Sequence, residues 1–191
     1  HRDLHSFPTR RSSDLVDAGT FTLGAANVLA AAADVTVAAG AGLAIGSNAQ
    51  SVNAFTSAGA LTGSATLQSA TGYALNAGAS VTANLGSGPL TVSGDASLTG
   101  TSASADVAIV GGTFTLTGDN RLAGVADVDV AAGATLALNG NLTMDLLNVA
   151  GSVSGSGRTL TASTTTLAAG AQFGANLGPG TRSEEHTSAL Q

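Results

Sequence analysis

The chain has 191 residues, a formal net charge of −6, 43% hydrophobic and 9% charged residues, and no cysteine. Low charge combined with abundant Val, Leu and Ala excludes the disordered class, which is highly charged and poor in apolar residues. Without cysteine there are neither disulfides nor thiolate metal sites, and twelve acids against six bases leave no footprint for a phosphate backbone, so no nucleic-acid partner is expected.

Taken in order, the chain opens on a segment unlike the rest. Residues 1–15 (His-Arg-Asp-Leu-His-Ser-Phe-Pro-Thr-Arg-Arg-Ser-Ser-Asp-Leu) resemble the translation of a sequencing adapter, and residues 182–191 resemble the opposite adapter except at Ala189. Both are expected to be non-native and are set aside. The remaining domain, 16–181, is expected to be a fragment open at both ends. All three histidines (His1, His5, His186) and both glutamates (Glu184, Glu185) fall in the discarded ends. The domain keeps Asp17, Asp34, Asp95, Asp106, Asp119, Asp127, Asp129 and Asp145, with only Arg121 and Arg158 as bases.

Residues 19–48 are written twice. Laid without gaps on 112–141, at an offset of 93, they match at 19 of 30 positions. The remainder returns at an offset of 92: 58–64 answers to 150–156, 75–79 to 167–171, and 83–88 to 175–180. One residue has been lost between the two blocks, most simply in a turn. Unit one therefore spans about 19–111, and a truncated unit two about 112–181. Long-period self-similarity marks stacked repeat architectures.

Within each unit, apolar residues alternate with small or polar ones: Phe21 and Leu23, Val35 and Val37, Leu43 and Ile45, Leu90 and Val92. Alternation over short runs bounded by Gly, Asn and Asp predicts strands with one buried face. In Asp127-Val128-Asp129-Val130 the valines should point inward and the aspartates outward. Residues 25–33 have high helix propensity, but their copy at 118–126 replaces two alanines with glycines, which favours loop or strand. Ala-Gly-Ala recurs at 39–41, 77–79, 132–134 and 169–171, and a lap of about 20 residues predicts an all-β parallel β-helix, or β-solenoid, of roughly eight coils. The competing sandwich would not usually hold two near-copies in series. Asn27/Asn120, Asn48/Asn141 and Asn84/Asn176 hold equivalent places in the two units; turn residues and inter-coil amide ladders both account for them.

Several phrases resemble the repetitive part of large bacterial surface exoproteins, the filamentous-haemagglutinin-like adhesins and autotransporter passenger domains. They are residues 112–120 (Gly-Thr-Phe-Thr-Leu-Thr-Gly-Asp-Asn), 130–138 (Val-Ala-Ala-Gly-Ala-Thr-Leu-Ala-Leu) and 83–86 (Ala-Asn-Leu-Gly) with its copy. The resemblance implies a right-handed parallel β-helix exported to the outer-membrane surface of a Gram-negative bacterium or beyond. There it would form part of a shaft that holds adhesive regions away from the cell. The implied partners are neighbouring coils of a longer protein and an unidentified host or surface ligand outside this segment.

Candidate chemistry is sparse. With no His or Cys in 16–181, Ser–His–Asp and Cys–His catalysis and imidazole zinc are excluded. The Gly155-Ser156-Gly157 run lacks the third glycine of a dinucleotide loop. Scattered aspartates without a calcium-loop pattern predict no calcium site, and no run of about 18 apolar residues predicts a membrane-spanning helix. No catalytic residue, cofactor or metal ligand is expected, and the chain is read as a non-enzymatic shaft segment. The alternative is a polysaccharide-binding or polysaccharide-degrading β-helix, in which Asp119, Arg121, Asp127 and Asp129 would have to converge. A third reading, a binder of ice or another crystal surface, would need a regular threonine ladder, of which Thr164-Thr165-Thr166 is a hint.

Overall fold

The structure, a computed structural model, describes residues 13–184. Most of the two adapter-like segments, 1–12 and 185–191, lies outside the described residues. Their inner ends do not: they form the first strand, Ser13–Val16, and the last, Thr181–Glu184.

Because successive strand side chains point to opposite faces, the alternating segments become short strands with one apolar edge. All named strand pairings are parallel, and they form two long ladders. The first stacks Ser13–Val16, Asp34–Val37, Gln50–Ser57, Thr66–Leu75, Leu90–Val92, Asp106–Ile109, Asp127–Val130, Leu142–Val149 and Thr159–Leu167. Asn176–Leu177 and Thr181–Glu184 both pair with the last of these. The second ladder stacks Thr20–Thr22, Gly42–Gly46, Ala60–Gly63, Ser80–Val81, Ala96–Leu98, Thr113–Leu116, Thr135–Leu138, Ser152–Ser154 and Gln172–Phe173. A third, shorter side runs through Gln50, Leu67, Leu85, Ser102 and Leu122. The chain alternates between the two long ladders as it advances, and so winds as a β-solenoid. No helix occurs among the described residues.

About ten coils form, where sequence spacing predicts eight. The laps are unequal: Leu90 lies beneath Val107, a step of 17, whereas Thr113 lies beneath Thr135, a step of 22. The strands Ser13–Val16 and Thr181–Glu184 also extend the stack at its two ends.

The core is a set of inward columns, each rung resting on the one before. Val35, Phe55, Tyr73, Leu90, Val107, Val128 and Leu147 form one; Val37, Ser57, Leu75, Val92, Ile109, Val130 and Val149 form the next. All fourteen are buried. Val128 and Val130 are buried while Asp129 is exposed, as the alternation predicts. Ser57 fits the apolar column because its hydroxyl donates to the Gly59 carbonyl (3.0 Å) and accepts from the Gly59 N–H (3.2 Å). Gly59 itself must lack a side chain, since a Cβ there would run into the carbonyls of Ala38 and Ala41. Its copy Gly151 faces the carbonyls of Ala131 and Ala134 in the same way.

The two units agree in backbone as well as in letters. Gly19 and Gly112 have φ of 67° and 68°, Asn27 and Asn120 52° and 50°, Gly40 and Gly133 76° and 81°, Gly63 and Gly155 148° and 150°. The lost residue lies at a corner, where Asn48-Ala49-Gln50 answers to Asn141-Leu142 and the eight-residue strands Gln50–Ser57 and Leu142–Val149 begin. Residues 25–33 are a series of bends and turns. Buried Gln50 (1% exposed) holds them open. Its carbonyl oxygen accepts from the Val28 (3.0 Å) and Leu29 (3.2 Å) N–H groups, and its amide donates to the Ala25 (2.8 Å) and Asn48 (3.2 Å) carbonyls. Backbone groups satisfied this way gain nothing by forming a helix.

Candidate functional site

The four residues that a polysaccharide-cleaving groove would need are held apart by the winding. Asp127 and Asp129 sit on Asp127–Val130 of the first ladder, while Asp119 and Arg121 sit on the bend that follows Thr113–Leu116 of the second. Three of the four have a local role. Asp119 accepts the Asn141 N–H from the next coil (2.7 Å), Asp129 accepts the Asn148 side-chain amide (2.8 Å), and Arg121 donates through Nη1 to the Thr99 carbonyl (3.0 Å). Asp127 lies in register with Asp106 and Leu146. No hydrogen bond or ion pair joins the four to one another among the described residues. The Arg121 guanidinium packs against Gly118 and leaves Nε buried without a partner. No group of three His, Cys, Asp or Glu side chains comes together among the described residues.

The equivalent asparagines work between coils, by turn geometry and by side chain–backbone bonds. Asn27 and Asn120 take the left-handed backbone that asparagine tolerates better than most residues. Asn84 donates to the Ser64 carbonyl (3.1 Å) and accepts from the Thr101 N–H (3.0 Å) and hydroxyl (2.9 Å), spanning the coils on either side. Asn120 accepts the Thr143 N–H (3.0 Å) and Asn141 the Thr159 N–H (2.9 Å). These bonds pin one corner of the solenoid to the next.

The structure also brings together residues that spacing hides. Thr164-Thr165-Thr166 is not a ladder: Thr165 points inward and is buried (4% exposed). The threonine column is on the second ladder, where exposed Thr62, Thr82, Thr99 and Thr117 fall on successive rungs. Thr82 N–H bonds to Leu61 O (2.9 Å), Thr99 N–H to Val81 O (2.8 Å) and Thr117 N–H to Leu98 O (3.0 Å). Beside it run Ser80, Ser97 and Thr115 in register. A shallow depression of about 410 Å3 on this face is lined by Ser80, Asp95, Ser97, Thr113 and Thr115, among others.

A larger opening, about 600 Å3, lies at the first coil, where Leu15, Val16, Phe21, Leu23, Val28 and Leu29 line the mouth of the lumen with Asp14 among them. No helix among the described residues is long and apolar enough to cross a membrane, which leaves spanning by strands unaddressed. Searches against protein-family models, curated proteins and solved structures find no match for this chain.

Proposed function

We propose that this chain is a segment of a non-enzymatic rod, a shaft that extends and presents other regions at the extracellular or outer-membrane surface of a Gram-negative bacterium. The observation that supports it is the continuity of the two parallel ladders across about ten coils, with both repeat units in the same backbone conformation. A stack in which each coil contacts only its neighbours gains stiffness and length together, at about 4.8 Å per coil. Asp34, Asp95, Asp119, Asp129 and Arg121 each bond locally between coils, which suits a spacer better than a hydrolytic groove. Placement at a bacterial surface rests on the sequence resemblance to haemagglutinin-like and autotransporter passenger repeats.

The test is to place the chain between a surface anchor and a reporter domain and to measure the reporter's height by fluorescence energy transfer, together with retention of the isolated chain on insoluble polysaccharides. The expected result is a height increment matching about ten coils, with no retention. Specific retention, or turnover of a polysaccharide, would replace the shaft with the carbohydrate-directed alternative. The threonine column favours one second reading, a binder of ordered surfaces such as ice. Inhibition of ice recrystallisation that is lost in Thr82→Lys/Thr99→Lys would support it.

A further inference from the structure

Asn139-Gly140 is the one Asn-Gly pair in the chain. It forms the bend after strand Thr135–Leu138, on the rung that follows Thr117, since Leu138 lies in register with Leu116. The Asn139 side chain is exposed. Gly140 is buried against Gly118, where an added Cβ would run into the Gly118 carbonyl. Seven of the ten asparagines are tied to a neighbouring coil through their side chains. Asn139 is not one of them. Among the described residues no hydrogen bond holds its side-chain amide or the Gly140 N–H. Asn27 and Asn176 also lack a side-chain bond, but Val28 and Leu177 follow them, and only glycine leaves the next backbone nitrogen uncrowded by a Cβ.

We propose that Asn139 is a site of spontaneous, non-enzymatic deamidation in the folded chain. The Gly140 nitrogen, having given its proton to solvent, attacks Asn139 Cγ and closes a succinimide ring. The Cγ–Nδ2 bond breaks, and the side-chain nitrogen takes up a proton and leaves as ammonia. Water from bulk solvent then adds to either imide carbonyl. Opening at Cγ leaves aspartate, whereas opening at the Asn139 main-chain carbonyl routes the chain through the side chain and leaves isoaspartate. The reacting atoms belong to consecutive residues, so an unbonded side chain reaches the nitrogen by rotation alone. The nitrogen attacks only when deprotonated, so the reaction quickens as pH rises. Either product sets a carboxylate beside Thr117. Isoaspartate also adds a methylene to the main chain just ahead of Asn141, whose N–H donates to Asp119 (2.7 Å) and whose side chain accepts the Thr159 N–H (2.9 Å). That product therefore loosens two ties between coils. The first unit has Gly46-Ser47 at the equivalent place, so this corner ages in the second unit alone. The inference rests on local geometry and holds whether or not the chain is part of a shaft.

The test is to hold the folded full chain at neutral and mildly alkaline pH, then unfold it, cut it with trypsin and locate the mass change by fragmentation against a zero-time sample. Arg121 and Arg158 bracket a single peptide, 122–158, that carries Asn139, Asn141 and Asn148 together, so the bonded asparagines serve as internal controls. The expected result is conversion of Asn139 about tenfold or more faster than of Asn141 or Asn148, quickening with pH. Part of the product should be isoaspartate, detected by isoaspartyl methyltransferase labelling, and that fraction should melt below the unmodified chain. Asn139→Gln should melt with the wild type and show no conversion in this peptide over the same period. Conversion of Asn139 no faster than of its two neighbours, conversion only in denaturant, or a product free of isoaspartate would each overturn the inference. The wild-type time course decides the matter even where the variant does not fold.

Discussion

Phe21 and Phe114 are the same letter in the same repeated phrase, with equivalent glycines before them, yet Phe21 is 53% exposed and Phe114 0%. The difference lies outside both phrases. Phe114 rests on Ala96 of the coil before it and carries Leu136 of the coil after, whereas Phe21 has Leu43 after it and the open mouth of the lumen on its other side. In a stack of this kind a residue's burial is set by its neighbours, and stability is a sum over interfaces between coils. Equivalent substitutions in the two units therefore measure the interfaces, not the residues.

The sharpest way to break the comparison is a charge in the stacked unit. Val128→Asp should cost about 4 kcal/mol or more, read as a fall in the midpoint of chemical denaturation, while Val35→Asp, nearer the mouth, should cost measurably less. Equal losses would mean that the end coil is as closed as the middle. Next in size, Phe114→Ala should cost about 3–5 kcal/mol and Phe21→Ala about 0.5 kcal/mol or less, with melting temperatures ordered accordingly.

Tyr73 sharpens the comparison chemically, because its counterpart in the second unit is Thr165. The Tyr73 hydroxyl donates to the Leu67 carbonyl (2.7 Å) and accepts from the Ser69 (2.9 Å) and Gly86 (2.8 Å) N–H groups. Tyr73→Phe leaves those two N–H groups without this acceptor and should cost about 1–3 kcal/mol. Burial pushes the phenol above its ordinary value of 10.0, against the opposing pull of the Ser69 and Gly86 donors. A raised pKa in the folded chain means that the neutral phenol is the form the fold accepts. Its contribution is therefore whole below pH 10 and is lost as pH rises through the folded value. Denaturation titrations should show an alkaline loss of stability that is absent in Tyr73→Phe. At the small end, Asp129→Asn should change stability by about 0.5 kcal/mol or less, since an amide oxygen can still accept from Asn148; a larger effect would mean that Asp129 is not a solvent-facing rung.

Much of the architecture was legible because the chain repeats itself and alternates. Val128 and Asp129 announced their faces by adjacency, and the copied glycines marked turns that share φ to within a few degrees in most pairs. The number of coils was not legible, because laps of 17 to 22 residues blur a spacing near 20. The same unevenness hid the column Thr62, Thr82, Thr99 and Thr117, whose separations follow no fixed period until the strands are laid side by side. Conversely the hint of a ladder in Thr164, Thr165 and Thr166 is adjacency along the chain, where a ladder needs adjacency across coils, and Thr165 is buried. Asp119 and Arg121 lie close in sequence to Asp127 and Asp129, and only the turn between the ladders shows that they belong to different sides.

Ala49, between Asn48 and Gln50, has no counterpart between Asn141 and Leu142, and this has a practical meaning. A deletion inside a strand would turn every later side chain of that strand to the opposite face; here the strand that follows the corner keeps its eight residues in both units, Gln50–Ser57 and Leu142–Val149, with buried residues at equivalent places. Corners are thus the joints at which this molecule can be edited, and the exposed bend at Gly124 and Val125, where an added Cβ on Gly124 meets nothing within 4 Å, is a natural place to graft a foreign peptide. A solenoid edited only at its corners can change its outer surface while its interior stays unchanged.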